Sequence, residues 1–281
     1  MNAGGKGDVP VEAYEKIHKL YELIETKTAA DLPGPYKVGV DLGTADVVLV
    51  VTDSQGNPVA GSLRWASVVK DGLVVDFRGA MLIVEELKAE IEALMGVELA
   101  KGATAIPPGT VGRNAMACGH VIAGAGLEPV CQVDEPVAAA KALGITHGIV
   151  VDIGGGTTGI AVLRNGELVF TADEPTGGTH VSLVLAGAYK ITFEEAELLK
   201  RDAGQHRRIM PVVLPVIEKM ATVVKNMLAG QAEFDDYPVY VVGGTAYLQG
   251  FEAEFGKAFG RTVHVPPHPL LVTPLGIAMF G

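Results

Sequence analysis

Apolar and polar positions follow two rhythms along the chain. The first is strand text broken by glycine. Residues 149–151 are apolar and mostly β-branched, which reads as a buried strand. The run meets Asp152, a carboxylate where burial normally excludes one. Gly154, Gly155, Gly156, Thr157, Thr158 and Gly159 follow, then apolar text at 160–163, an Asn165-Gly166 turn signal and a third strand at 168–170. An earlier stretch repeats this. Residues 38–40 lead to Asp41, Gly43 and Thr44, a strand runs over 46–52, and the turn cluster 53–58 precedes a strand from Val59. The chain therefore reads as two related halves, each opened by a hairpin whose tip carries an aspartate, glycine and threonine.

The second rhythm is helical. Val11, Tyr14, Ile17, Leu20, Tyr21 and Ile24 predict an amphipathic helix over 11–27, a strut packed on the body or a partner-docking helix. Residues 1–8 read as a terminal tip. Strand-like text at 63–77 bends at 70–72. Helices are predicted at 81–95, 114–125, 134–143, 180–189, 194–203, 211–230 and 249–259. Pro136 suits the first turn of the 134–143 helix. Thr192 and Glu195 form a capping box at the start of 194–203. Strands fall at 103–106, stopped by Pro107-Pro108-Gly109, and at 130–133 and 239–242. Residues 264–269 are extended, and 270–280 is a short apolar segment. This order reads as α/β with mixed sheets, in two lobes with a cleft between them.

Composition narrows the function. The 281 residues suffice for two domains and a large core. A net charge of −11 argues against a nucleic-acid partner, whose phosphates need a basic footprint. Cys118 and Cys131 form no C-x-x-C and read as two buried free thiols in a reducing compartment. No stretch has a leader's pattern or the roughly 18 apolar residues of a membrane span, so a cytoplasmic protein is expected.

The glycine runs carry the candidate chemistry. Without Cβ atoms, a phosphate can approach the backbone N–H groups, and the threonines add hydroxyl donors. A strand follows each loop, whereas a P-loop or dinucleotide fingerprint requires a helix there. Two such loops facing each other could grip one polyphosphate and its metal. His264 and His268 are four apart, but Pro266, Pro267 and Pro269 forbid the helix that would align them on one metal.

Five ordered segments resemble the motifs of the ATPase fold shared by actin, hexokinase and the DnaK-type heat-shock chaperones. DLGTA at 41–45 is similar to the first phosphate motif and VDEPVAAAKALG at 133–144 to the first connecting helix. DIGGGTTGIAV at 152–162 is similar to the second phosphate motif, VVGGTAYLQGF at 241–251 to the adenosine motif, and TPLGIA at 273–278 to the second connecting helix. The resemblance implies a two-lobed actin-like ATPase fold of duplicated ribonuclease H-like mixed sheets, with no separate substrate-binding domain. Its divisions would be an N-terminal tip and helix at 1–35, lobe I at 36–144 plus 271–281, and lobe II at 145–270. A finer resemblance, in 65–77, 107–110 and 171–187, is to the EutJ family of ethanolamine-utilisation proteins.

For the site, the resemblance implies ATP on the loops of Gly43-Thr44 and Gly154–Thr158. Asp41 and Asp152 would hold Mg²⁺ mainly through its waters. Glu135 would orient the attacking water, although a glutamate in a helix's first turn is also a plain dipole partner. Gly177 and Gly178 would stand near the phosphates and ribose. Glu197 and Lys200, otherwise a surface ion pair, would meet the ribose hydroxyls. Gly243, Gly244 and Thr245 would receive the adenine. The catalytic lysine of the heat-shock ATPases does not align; Lys70, Lys88 and Lys101 are candidates without a motif. Ala45 replaces a hydroxyl residue common after DLGT. At most a slow Mg-dependent ATPase is expected. The implied role is chaperone-like, with ethanolamine ammonia-lyase or another ethanolamine-pathway protein as partner, and association with a microcompartment. A small-molecule kinase and an actin-like filament or scaffold protein are the rival readings.

Overall fold

The computed structural model describes residues 9–281, so the terminal tip read at 1–8 lies outside the described residues. Helix α1 (Val11–Thr26) precedes the hairpin strands β1 (Lys37–Leu42), β2 (Asp46–Thr52) and β3 (Pro58–Trp65). The small hairpin β4 (Val69–Lys70) and β5 (Leu73–Val74) accounts for the strand-like text around Gly72. Then come α2 (Phe77–Met95), β6 (Lys101–Ile106), α3 (Gly112–Gly124), β7 (Glu128–Asp134) and α4 (Glu135–Leu143). The second half repeats the pattern with β8 (Gly148–Ile153), β9 (Thr158–Arg164) and β10 (Glu167–Glu174). It continues with α5 (Gly178–Tyr189), α6 (Phe193–Arg201), α7 (His206–Met227), β11 (Val239–Val242), α8 (Phe251–Phe259) and α9 (Val272–Ala278).

The duplication is explicit in the sheets. The first has order β3-β2-β1-β6-β7 and the second β10-β9-β8-β11. In each, the opening hairpin is antiparallel and the next strand joins the first in parallel. Where the first sheet has its fifth strand, the second has a single parallel bridge, Tyr240 to His264. The extended text at 264–269 is thus a rudimentary fifth strand.

Burial follows the same plan. One core lies between the second sheet and α5, α7 and α8, around Ile149, Val213, Ile217 and Phe255. Another lies between the first sheet and α2 and α3, around Val40, Leu49, Leu87 and Ile122. A third joins the halves: Ile17 and Leu20 of α1, Leu143 of α4 and Leu275 of α9 pack with Val48, Val150 and Val242 from the two sheets. The strut reading of α1 fits this placement.

Several boundaries differ from the sequence reading. Helix α2 starts at Phe77 because the Asp76 carboxylate accepts the Gly79 N–H at 2.8 Å, capping the chain before the apolar stripe begins. Helix α7 starts at His206, with Pro211 and Pro215 inside it. Both prolines are exposed, so the carbonyls they leave unpaired face solvent. Meanwhile Ile209, Val213, Ile217 and Met220 bury a continuous stripe. The capping box of α6 is present as read, with the Glu195 N–H on Thr192 and the Thr192 N–H on Glu195. Of the two thiols, Cys118 is buried but Cys131 is only half-buried, because β7 is an edge strand.

Candidate functional site

Both hairpins point their tips at one cleft of about 480 Å³, within the range of small-molecule sites. Asp41, Gly43, Thr44 and Glu135 line one side; Asp152, Gly154, Gly155, Gly156 and Thr157 line the other. Glu197, Lys200, Gly243, Gly244 and Thr245 extend it outward. The tips meet: a Cβ on Gly155 would lie 3.2 Å from Thr44 Cβ, and one on Gly156 would lie 2.5 Å from Thr44 Oγ1 and 2.9 Å from the Asp71 backbone. Glycine is required there by close approach rather than by an unusual φ.

Thr158, Gly177 and Gly178, expected near the phosphates and ribose, do not line the cleft and pack against the loop that does. Thr158 is fully buried, its hydroxyl donating to the Thr176 carbonyl at 2.5 Å. The N–H groups of Gly178 and Thr179 donate to the carbonyls of Gly154 and Gly155 at 2.9 and 2.8 Å. The hydroxyls of Thr179 and Thr245 add 2.8 and 2.9 Å bonds to the same two carbonyls. The start of α5 therefore fixes the loop by its carbonyls. A side chain at Gly177 would strike the Gly154 and Gly155 carbonyls at 2.8 and 2.7 Å.

Asp152 sits at the end of β8 with the Thr273 hydroxyl donating to its Oδ2 at 2.5 Å. A Cβ on Gly243, itself at φ 91°, would come 2.5 Å from Asp152 Oδ1. Helix α6 presents Glu197 and Lys200, paired at 2.7 Å, with Lys200 also donating to the Gly178 carbonyl at 3.2 Å. Ser182 donates to Glu197. Buried His206 braces this helix. Its Nδ1 accepts the Gln249 N–H at 3.0 Å, so Nε2 carries the proton donated to the Lys200 carbonyl at 2.8 Å. At the mouth, Arg201 of α6 lies over the Trp65 ring of β3 at 4.4 Å. Tyr21 of α1 also lines the cleft and stacks on His268 at 3.9 Å.

The cleft is acidic on its floor. Burial, then the charges of Asp46 and Asp152, push Asp41 well above the usual carboxylate range. Burial, then Asp152 and Asp41, do the same to Glu135. Burial raises Asp152 to about 6 against the Thr273 hydrogen bond. Asp46 also rises to about 6 by burial, although Lys200 pulls it down. Lys200 is lowered by burial, against the pull of Glu197. Carboxylates that repel one another in a dry cleft are matched to a cation. Asp41 and Asp152, which line that floor, are the residues that would hold Mg²⁺ through its waters.

Asp46 and Thr273 were not identified as site residues from sequence. An aspartate opening a strand three residues after Gly43 was the available signal for Asp46; Thr273 meets Asp152 only through the fold. Lys70, Lys88 and Lys101 do not line the cleft, and Lys88 and Lys101 pair with Glu92 and Glu128. Lys200 and Arg201 are the cations that do line it.

With this geometry in place, similarity decides the family. The model of Cell division protein FtsA matches residues 149–274, and that of MreB/Mbl protein matches 58–194. The Ethanolamine utilization protein EutJ of Salmonella typhimurium (strain LT2) is 45% identical over 258 residues, 92% of this chain and 89% of that protein. The chain belongs to the EutJ family. A solved EutJ structure from Carboxydothermus hydrogenoformans is 67% identical with a TM-score of 0.91, covering 96% of this chain and 99% of that one. MreB 5 of Spiroplasma citri, solved bound to AMPPNP, is 20% identical with a TM-score of 0.71 over 88% of this chain and 96% of that one. The fold is accordingly the actin-like ATPase fold, as the order of motifs implied. No helix among the described residues is long and apolar enough to cross a membrane.

Proposed function

We propose that this EutJ-family chain binds Mg-ATP between two lobes, 36–144 plus 271–281 and 145–270. Its closure on the nucleotide would regulate a partner of ethanolamine utilisation. The observation that carries the reading is the convergence of Asp41, Asp152 and both glycine-tipped loops on one cleft. Gly43, Thr44 and residues 154–157 hold the phosphates, and Glu197 and Lys200 hold the ribose. Gly243, Gly244 and Thr245 give the base a flat backbone surface. Thr158, Gly177 and Gly178 keep the second loop in shape. When bound, magnesium neutralises charge on the phosphates. Glu135 orients a water toward the phosphates, and any hydrolysis is slow. Helices α4 and α9, packed on each other, are the hinge.

The family name supports a partner in ethanolamine utilisation; the chaperone-like role, toward ethanolamine ammonia-lyase or another protein of that pathway, including one housed in a microcompartment, follows the resemblance to the DnaK-type ATPases. ATP can drive such a role only by binding the two lobe arrangements with different affinity. Mg-ATP should raise the melting temperature, and Asp152→Ala should remove the rise; equal stabilisation of both proteins contradicts the site. Capture of ethanolamine ammonia-lyase should differ between the ATP, ADP and nucleotide-free states, whereas capture independent of nucleotide contradicts the regulatory role. Mg-ATP-dependent light scattering would instead mark a filament former.

A further inference from the structure

Trp65 and Arg201 meet at the cleft mouth, and neither has a part in the nucleotide contacts proposed above. Trp65 ends β3, in the first lobe, and Arg201 ends α6, in the second. The guanidinium carbon lies 4.4 Å from the centre of the indole, inside the roughly 6 Å reach of a cation–π contact. Both residues line the cleft. Trp65 is the chain's single tryptophan and is 47% exposed. Among the described residues it joins none of the apolar cores, so the packing of either sheet does not account for its ring.

Each partner is tied to a different wall of the site. Trp65 is the register partner of Asp46, which opens β2 just after the first glycine-tipped loop. The Ala66 N–H donates to the Ala45 carbonyl at 3.0 Å, so the end of β3 moves with Gly43 and Thr44. Arg201 is steered by its own helix. Its Nε–H donates to the Glu197 carbonyl at 3.1 Å, which leaves the guanidinium plane to lie on the indole. Lys200 beside it donates to the Gly178 carbonyl at 3.2 Å, and His206 donates to the Lys200 carbonyl at 2.8 Å. The end of α6 therefore moves with the second loop. A basic residue at a helix's C-terminal end commonly serves the helix dipole, but a dipole does not select an indole from the other lobe.

We propose that Trp65 and Arg201 form a clasp across the cleft mouth that sets how fast a nucleotide enters and leaves. The inference deepens the nucleotide reading and rests on it. The lobes part at the mouth only when the stack breaks, which returns the guanidinium and one face of the indole to water. No covalent bond changes. Because the contact joins two protein groups, it adds a barrier common to entry and exit. It alters affinity only as far as it differs between the bound and unbound arrangements. A single stack of this kind is weak, so it tunes rates severalfold rather than sealing the site.

The test is stopped-flow binding of the N-methylanthraniloyl derivative of ADP, with magnesium, to the full chain; excess ADP displaces it to read dissociation. Trp65→Ala and Arg201→Met should each raise both the association and the dissociation rate by about fivefold. The double variant should exceed neither single variant, because one contact is lost in every case. Trp65→Phe keeps an aromatic face and should fall between Trp65→Ala and wild type. Faster dissociation with unchanged association would mark a direct nucleotide contact, and effects that multiply in the double variant would mark two independent roles; either overturns the clasp. The single tryptophan adds a readout that needs no nucleotide. Arg201→Met should increase the quenching of its fluorescence by acrylamide, and unchanged quenching overturns the clasp while leaving the nucleotide reading intact. Failure of wild type to bind the probe or ATP overturns the nucleotide reading and this inference with it.

Discussion

Asp46 illustrates what the site costs the empty protein. It is 8% exposed and raised to about 6 by burial, with Lys200 and Arg201 only partly compensating. A carboxylate with a raised folded pKa binds more protons folded than unfolded, so its effect is absent in acid. Between its ordinary value of 3.8 and about 6, ionisation increasingly favours the unfolded chain. A shift of this size corresponds to about 3 kcal/mol once the group is fully ionised. Asp46→Asn should therefore match wild type in urea unfolding near pH 4 and exceed it by up to about 3 kcal/mol near pH 7.5. A variant less stable at neutral pH would mean that the ion attraction to Lys200 dominates. Asp41 and Asp152 could be read from the chain because glycine and threonine follow each within a few residues. Asp46 and Thr273 could not: Asp46 is set beside Lys200 and Arg201 by the fold, and Thr273 meets Asp152 from a helix 121 positions away.

At the scale of elements, α4 and α9 cross so closely that side chains are excluded. A Cβ on Gly276 would overlap the Ala138 carbonyl, and one on Gly39 would overlap the backbone of Ala278. Neither clash can be relieved by a flexible side chain. Gly276→Ala should destabilise the protein by about 1–3 kcal/mol or more, read as a lowered urea midpoint; an unchanged midpoint would show that the helices can separate without loss. The resemblance named 133–144 and 273–278 as the connecting helices but said nothing of their contact. What remained illegible was the extent of α7, since a proline is best placed in a helix's first turn and the reading began the helix there. Burial of Ile209 and Val213 on the opposite face outweighs the bonds lost at Pro211 and Pro215. Likewise, α1 reads as a strut, and the fold adds that Tyr21, Ile24 and Glu25 reach the cleft mouth.

Across the whole molecule, two copies of one sheet plan meet along a shared core and leave a crevice where their hairpin tips oppose. Duplication explains why both halves end a strand on an aspartate. Juxtaposition explains why burial and the neighbouring carboxylates hold Asp41 well above the usual carboxylate range. The central claim is that this crevice takes one metal-bound nucleotide per chain. Calorimetric titration with Mg-ATP, run on wild type, Asp41→Ala and Asp152→Ala, tests it most directly. The account predicts one saturable site in wild type and loss of the binding heat in both folded variants. Binding by the variants as tight as wild type, or no binding heat in wild type, would contradict it.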